Sequence, residues 1–109
     1  MGRRPAEQRV SDRVLIGAPA TIKWGEEEQS GFLELLNLAG GYVATPRAPD
    51  LGDYVELNFS LPGDRRSFRV RGSVVFVGDS VLARTGFGAR FERPPAALLD
   101  AIKNINRGH

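Results

Sequence analysis

Arg9 and Arg13 are four residues apart, just ahead of the first apolar run of the chain. A guanidinium presents a planar fork of N–H donors, which fits a phosphate or the O6/N7 edge of guanine with two parallel hydrogen bonds. Because both arginines lie on a segment that leads into a predicted strand, the pair predicts binding to phosphates and guanine. The other interpretation is a solvated basic tail, which is the more common meaning of such a motif in an arbitrary protein.

The composition limits what such a ligand can be. The chain has 109 residues, a formal net charge of +2 and no cysteine, and 41% of its residues are hydrophobic. These values predict one domain in a reducing cytoplasm, without disulfides or thiolate catalysis. Four arginines in residues 1–13 form a local basic segment, which suits a small anion better than DNA or another long polyanion. No apolar run is long enough for a membrane helix, so we expect no membrane insertion.

The elements that must position these arginines are short strands. The sequence predicts that residues 1–13 form a flexible, arginine-rich arm. It predicts that residues 14–106 form one β-barrel domain with a C-terminal helix. Alternating apolar and polar residues, separated by turn signals, predict the strands. The first predicted strand covers residues 18–24 and is preceded by a segment that leads into it from residue 14. The other predicted strands cover residues 32–38, 42–45, 54–61, 67–77 and 86–91. After Pro94 and Pro95, a helical spacing of apolar residues predicts a helix over residues 96–106, with Leu98, Leu99, Ile102 and Ile105 on one side.

Six short strands and one helix predict an all-β fold, a six-stranded antiparallel β-barrel with a C-terminal α-helix. Residues 25–30 predict an acidic turn, and Gly72 on the inward side of its strand predicts a bend or a bulge. After Asn37, a tight turn is expected in which Gly40 and Gly41 supply positive φ and leave backbone N–H groups exposed. The expected core residues share the inward side of the strands: Val55, Leu57, Phe59, Val70, Val74, Phe76, Phe87 and Phe91.

No combination of residues predicts catalysis or a metal site. His109 is the last residue of the chain, and Ser11 and Asp12 have no third member for a catalytic arrangement. The three glutamates at residues 26–28 are typical of a solvated loop, whereas metal sites need several convergent ligands. We therefore expect a protein that is not an enzyme and that holds neither a cofactor nor a metal.

The chain as a whole, over roughly residues 9–106, resembles the PilZ family of bacterial cyclic di-GMP receptors. That family pairs an RxxxR arm just before the first barrel strand with a [D/N]xSxxG turn between the second and third strands. Arg9 and Arg13 match the arm, and Asn37 matches the first residue of the turn. Later segments also resemble the family, namely residues 41–43, 51–57, 59–63, 70–75 and 86–91.

Two departures from the family pattern fall in the turn. Ala39 stands where the family has serine, which removes a hydroxyl that could hydrogen-bond to the ligand. The final glycine of the motif falls at Tyr42, and Gly41 can take its place only if the turn is one residue shorter. The arm therefore matches the family, and the turn matches it incompletely.

The resemblance implies a stand-alone cytoplasmic signalling module. Cyclic di-GMP would bind at Arg9, Arg13, Asn37, Gly40 and Gly41, and its binding would order the arm in a way that an unidentified partner protein detects. The alternative is a degenerate PilZ-like protein that does not bind cyclic di-GMP. Such a protein would act by protein–protein interaction, for example in motility or surface behaviour.

Overall fold

Six antiparallel strands close into a barrel in the order β1-β2-β3-β6-β5-β4, and one helix follows. The structure is a computed structural model that describes residues 14–79 and 85–107. The predicted all-β barrel with a C-terminal helix is confirmed, whereas the predicted arm and His109 lie outside the described residues. The elements are β1 (Val14–Trp24), β2 (Glu27–Leu36), β3 (Gly40–Ala44), β4 (Tyr54–Phe59), β5 (Phe68–Val77), β6 (Gly86–Glu92) and α1 (Ala96–Arg107).

Strand β4 shows how alternation builds the core. Val55, Leu57 and Phe59 are buried inside the barrel, and the two residues between them are half-buried. Its pairing with β5 runs in unbroken register from Tyr54–Ser73 to Phe59–Phe68. Because side chains alternate between the two sides of a strand, an unbroken register keeps every second residue in the core. Seven of the eight predicted core residues are buried: Val55, Leu57, Phe59, Val70, Val74, Phe87 and Phe91.

Phe76 was expected in the core, and that prediction is wrong because the side chain is 49% exposed. The β5–β6 pairing passes from Val74–Ala89 directly to Phe76–Gly88, so one extra residue is inserted in β5. A bulge of this kind re-aims the side chains that follow it. The inward period that holds for Val70 and Val74 therefore does not extend to Phe76.

Three turn and glycine predictions also need correction. Residues 25–30 do not form one acidic turn, since β2 already begins at Glu27 and pairs with Trp24. Gly72 lies in regular register opposite Phe91 and does not mark the bulge in β5. Gly40 and Gly41 lie in β3 and are not among the glycines with positive φ. Their importance is close packing, described below.

Helix α1 packs on the barrel through one side. The N–H groups of Leu98 and Leu99 donate to the carbonyl of Pro95, 3.0 and 3.1 Å away, so the proline pair starts the helix as predicted. Leu98, Ala101 and Ile102 are buried in the same hydrophobic cluster as the barrel interior. The helix therefore completes the core instead of standing free of it.

Candidate ligand site

Asn37 builds the turn between β2 and β3 with its own side chain. Its Oδ1 accepts hydrogen bonds from the N–H groups of Ala39 and Gly40, at 2.8 and 2.9 Å. Its backbone N–H donates to the carbonyl of Gly40 at 2.9 Å. Asparagine commonly bonds to the backbone two residues further on, and this preference explains the turn locally. The turn is therefore held by Asn37 even though Ala39 has no hydroxyl.

Gly40 and Gly41 allow β3 to run close to its neighbours. A Cβ atom at Gly40 would overlap the carbonyl oxygen of Ala89 on β6, and one at Gly41 would lie 2.7 Å from the carbonyl oxygen of Leu35 on β2. The N–H of Phe91 also donates to the carbonyl of Ala39 at 2.8 Å. Both positions therefore require a residue without a side chain. The close approach that this permits, together with the hydrogen bond from Phe91, holds the Asn37 turn against β6.

The strand register brings the first described residue of β1 beside this turn. Val14, which directly follows Arg13, pairs with Leu36, which directly precedes Asn37. Cross-strand partners in an antiparallel pair lie about 5 Å apart. Arg13 and Asn37 are 24 positions apart in the sequence, and the residues next to them, Val14 and Leu36, are paired. Arg9 and Arg13 themselves lie outside the described residues.

A cleft of about 760 Å³ lies on the outside of β3, β6 and β5 and includes the Asn37 turn. Its volume is within the range of small-molecule sites. Tyr42, Gly88 and Phe76 form its floor as successive cross-strand partners. The rings of Tyr42 and Phe76 have centroids 6.4 Å apart and planes inclined by 51°. The remaining lining residues are Leu35, Asn37, Ala39, Gly40, Gly41, Val75, Asp79, Ala89 and Arg90.

The cleft carries a charge of each sign. Arg90 is exposed on β6, where it pairs with Gly40, and Asp79 lies near the hydroxyl of Tyr42. Burial raises the pKa of Tyr42, and the negative charges of Glu34 and Asp79 raise it further. Tyr42 is therefore protonated at neutral pH, and its hydroxyl donates a hydrogen bond to the carbonyl oxygen of Gly78. This bond fixes the orientation of the ring in the floor of the cleft.

The structure brings together three of the five sequence-predicted site residues. Asn37, Gly40 and Gly41 all line the cleft. Sequence reasoning missed Arg90, Tyr42 and Phe76. For Arg90 a signal did exist, since it falls on the outward side of a strand whose neighbours Ala89 and Phe91 are buried. Only the pairing of β6 with β3 shows that this outward side is the one beside Asn37.

Metal sites and membrane-spanning helices are both absent from the described part of the chain. Within residues 14–79 and 85–107, no three His, Cys, Asp or Glu side chains come together in a way that could hold a metal ion. Over the same ranges, no helix combines the length and apolar character needed to cross a membrane.

The family follows from a match over nearly the whole chain. The family model described as the PilZ domain matches residues 7–107. The chain belongs to the PilZ domain family. PilZ domains are binding and signalling modules, and the matched range includes both the arginine pair and the Asn37 turn.

A solved structure shares the PilZ fold of this chain. It is the inhibitor of motility (MotI/DgrA) from Bacillus subtilis, with a TM-score of 0.72 and 17% sequence identity. The match covers 88% of this PilZ domain and 49% of the other chain, so this chain spans about half the length of that protein. At this identity the likeness concerns the fold. A search of curated proteins found no match.

Proposed function

We propose that this PilZ domain is a receptor for cyclic di-GMP that regulates a partner protein by ligand-dependent ordering of residues 1–13. The observation that supports it most is the pairing of Val14 with Leu36, because Val14 directly follows Arg13 in the sequence and Leu36 directly precedes Asn37. The turn opens onto a cleft of suitable volume. The site needs neither a cofactor nor a metal, and its ligand is the nucleotide itself.

The cleft offers each part of cyclic di-GMP a suitable contact. Arg9 and Arg13 supply charge-assisted hydrogen bonds to the phosphates and paired hydrogen bonds to a guanine edge. Arg90 adds a cation from the barrel wall, next to Gly40. Phe76, which is 49% exposed and lies beside the buried ring of Tyr42, provides an aromatic surface for a flat base. Asn37, Gly40 and Gly41 supply a backbone that a ligand can approach closely.

The regulation of a partner protein would follow from the position at which the ligand binds. A ligand held between the barrel and residues 1–13 would fix that segment in one arrangement, and a partner that recognises the arrangement would bind only then. The similar fold of an inhibitor of motility makes a component of the motility apparatus a candidate partner.

Isothermal titration of the purified protein with cyclic di-GMP tests the receptor function, with cyclic di-AMP as the control for guanine recognition. Arg9→Ala and Arg13→Ala should each weaken binding by at least about 2 kcal/mol, roughly 30-fold, since each removes charge-assisted contacts. Ala39→Ser should strengthen binding by up to about tenfold, because it restores the family's hydroxyl. Amide exchange across residues 4–14 should slow when the ligand binds.

The second candidate is a PilZ domain that acts by protein–protein interaction without the nucleotide. Ala39 favours it, because one ligand contact of the family is missing. Leu38, Val75 and Phe76 also favour it, because large apolar side chains are exposed at and beside the cleft. No heat and no slowing of exchange at high cyclic di-GMP concentration would rule out the receptor. Pull-downs with the arginine variants would then show whether residues 1–13 bind a partner protein.

A further inference from the structure

Gly88 lies at the centre of an exposed apolar face of the barrel. Its cross-strand partners are Tyr42 on β3 and Phe76 on β5. Half of the surface of Phe76 is exposed, and Val75 beside it and Leu38 in the turn after β2 are exposed as well. Exposed apolar groups that adjoin one another on a domain surface are typical of a protein interface. This face therefore indicates a surface that another protein covers.

Opposite charges lie on the two sides of Gly88 along its strand. Arg90 is two residues away on β6. Two residues away in the other direction is Gly86, whose carbonyl accepts a hydrogen bond from the N–H of Gly78, the residue before Asp79. At the usual rise of a strand, two residues correspond to about 7 Å in each direction. Arg90 and Asp79 are both exposed, so the face carries a cation at one end and an anion at the other.

Both charges are available to a partner. The ion pairs within residues 14–79 and 85–107 join other arginines to other acids. Asp79 accepts a hydrogen bond from the hydroxyl of Thr85 at 3.3 Å, which orients the carboxylate through one oxygen and leaves the second oxygen for a cation. A protein that matches this face must therefore present an anion to Arg90, a cation to Asp79 and an apolar surface between them.

A second copy of this chain has all three features. In a two-fold dimer both copies use the same surface, so every contact between two different residues occurs twice. Rotation by 180° about an axis at Gly88 exchanges the two ends of the face, and Arg90 of each copy then lies opposite Asp79 of the other. The same rotation turns the exposed ring of Phe76 towards the cleft of the other copy. Gly88 has no side chain that would keep the copies apart at the axis.

We propose that two copies of this chain form a two-fold dimer through the face centred on Gly88. Burial of the Phe76 and Val75 side chains favours association, and the two Arg90–Asp79 contacts determine its orientation. Because few side chains are buried, the dimer is weak. The dimer covers the cleft, and only the resulting competition with cyclic di-GMP rests on the proposed function.

Sedimentation of the protein without nucleotide, from about 10 µM to about 1 mM, tests the dimer. The wild type should pass from monomer to dimer over this range. Arg90→Asp and Asp79→Arg should each weaken dimerisation at least about tenfold, because each places like charges opposite each other in both contacts. An equimolar mixture of the two variants should dimerise like the wild type. In the mixture, one variant carries two negative charges at these positions and the other carries two positive charges.

The matched control is Arg65→Asp, which reverses an exposed charge on the connection between β4 and β5. It should leave dimerisation unchanged, because Arg65 does not line the cleft. A wild type that stays monomeric at the highest concentration would overturn the proposal. So would a mixture that stays monomeric, or a loss on Arg65→Asp as large as the losses on the other two variants.

A second measurement uses the wild-type chain alone. On dilution, the methyl signals of Val75 and Leu38 in an NMR spectrum should shift, because both residues lie on the face that the second copy covers. The methyl signal of Thr21 should stay in place, because β1 is opposite β6 in the strand order of the barrel. Unchanged signals at Val75 and Leu38, or an equal shift at Thr21, would contradict this interface.

Cyclic di-GMP separates the dimer from the receptor function. A nucleotide that occupies the cleft should shift the dimer towards monomer as it binds, since both use one face. A dimer that is restored by mixing the two variants, in a protein that binds no nucleotide, would uphold the dimer and reject the receptor. Nucleotide binding by a protein that stays monomeric at every concentration would reject the dimer and uphold the receptor.

Discussion

Two faces of the barrel exterior differ in chemistry although they cover the same core. The cleft face is the cross-strand row Leu35, Tyr42, Gly88 and Phe76, which crosses β2, β3, β6 and β5. The charged face is the row Lys23, Glu56, Arg71 and Glu92, which crosses β1, β4, β5 and β6. In this second row the sign alternates from strand to strand, and opposite charges that face each other stabilise a sheet modestly.

The two faces also differ in regularity. The pairings of β4 with β1 and with β5 keep one register throughout. The β1–β2, β2–β3 and β5–β6 pairings each shift once, and these shifts lie near Glu34 and Phe76. Where the register is regular, every second residue of a strand faces the core, and the charged residues between them face solvent. Irregular pairing places an acid and an aromatic ring where alternation would not, and such departures tend to accompany function.

The largest expected effect compares two phenylalanines. Phe59→Ala on β4 should lower the free energy of unfolding by about 3–5 kcal/mol, because it leaves a cavity in the core. Phe76→Ala on the cleft face should lower it by about 1 kcal/mol, because half of that ring is already exposed. Urea denaturation measures both. Equal losses would show that the bulge in β5 does not turn Phe76 outward.

A smaller effect compares two exposed arginines, one on each face. Arg90→Ala should weaken cyclic di-GMP binding by about 1.5–3 kcal/mol, since it removes a charged donor from the cleft. Arg71→Ala, on the charged face between Glu56 and Glu92, should leave the affinity unchanged. Titration at matched ionic strength is required, because general electrostatic attraction would affect both variants alike. Equal weakening would mean that the ligand responds to overall charge and not to the cleft.

The regular part of the molecule is the part that the sequence predicts well. Val55, Leu57 and Phe59 alternate without interruption, so their burial, their strand and the neighbouring register follow from a period of two. Leu98 and Ile102 follow a helical period and are likewise buried. In both elements the local pattern and the tertiary packing agree, and no long-range information is needed.

The irregular part could not be predicted, for two physical reasons. Residues 74–77 read Val-Val-Phe-Val, a run that is apolar on both sides of a strand, so nothing in it marks Val75 as the extra residue. In the sequence, Arg90 is indistinguishable from the other charged residues on the outward sides of strands. Only the pairing of β6 with β3 brings it to the Asn37 turn. Asn37 itself was found because its turn chemistry is local.

The smallest effect concerns an ion pair on the connection between β4 and β5, away from the cleft. Asp64 accepts hydrogen bonds from the backbone and the side chain of Arg66, with its Oδ2 2.7 Å from the guanidinium, and these bonds lower the pKa of Asp64 to about 2 from the usual 3.8. A depressed pKa favours the folded state above pH 3.8, and this contribution is lost as the pH falls through about 2. Carboxyl carbon shifts followed by NMR should give that midpoint, and Arg66→Gln or high salt should raise it towards 3.8. A midpoint already at 3.8 in the wild type would mean that the pair does not form in solution. Cyclic di-GMP should leave the Asp64 midpoint unchanged, because the pair lies outside the cleft; a shift on binding would mean that the ligand also acts beyond the cleft face.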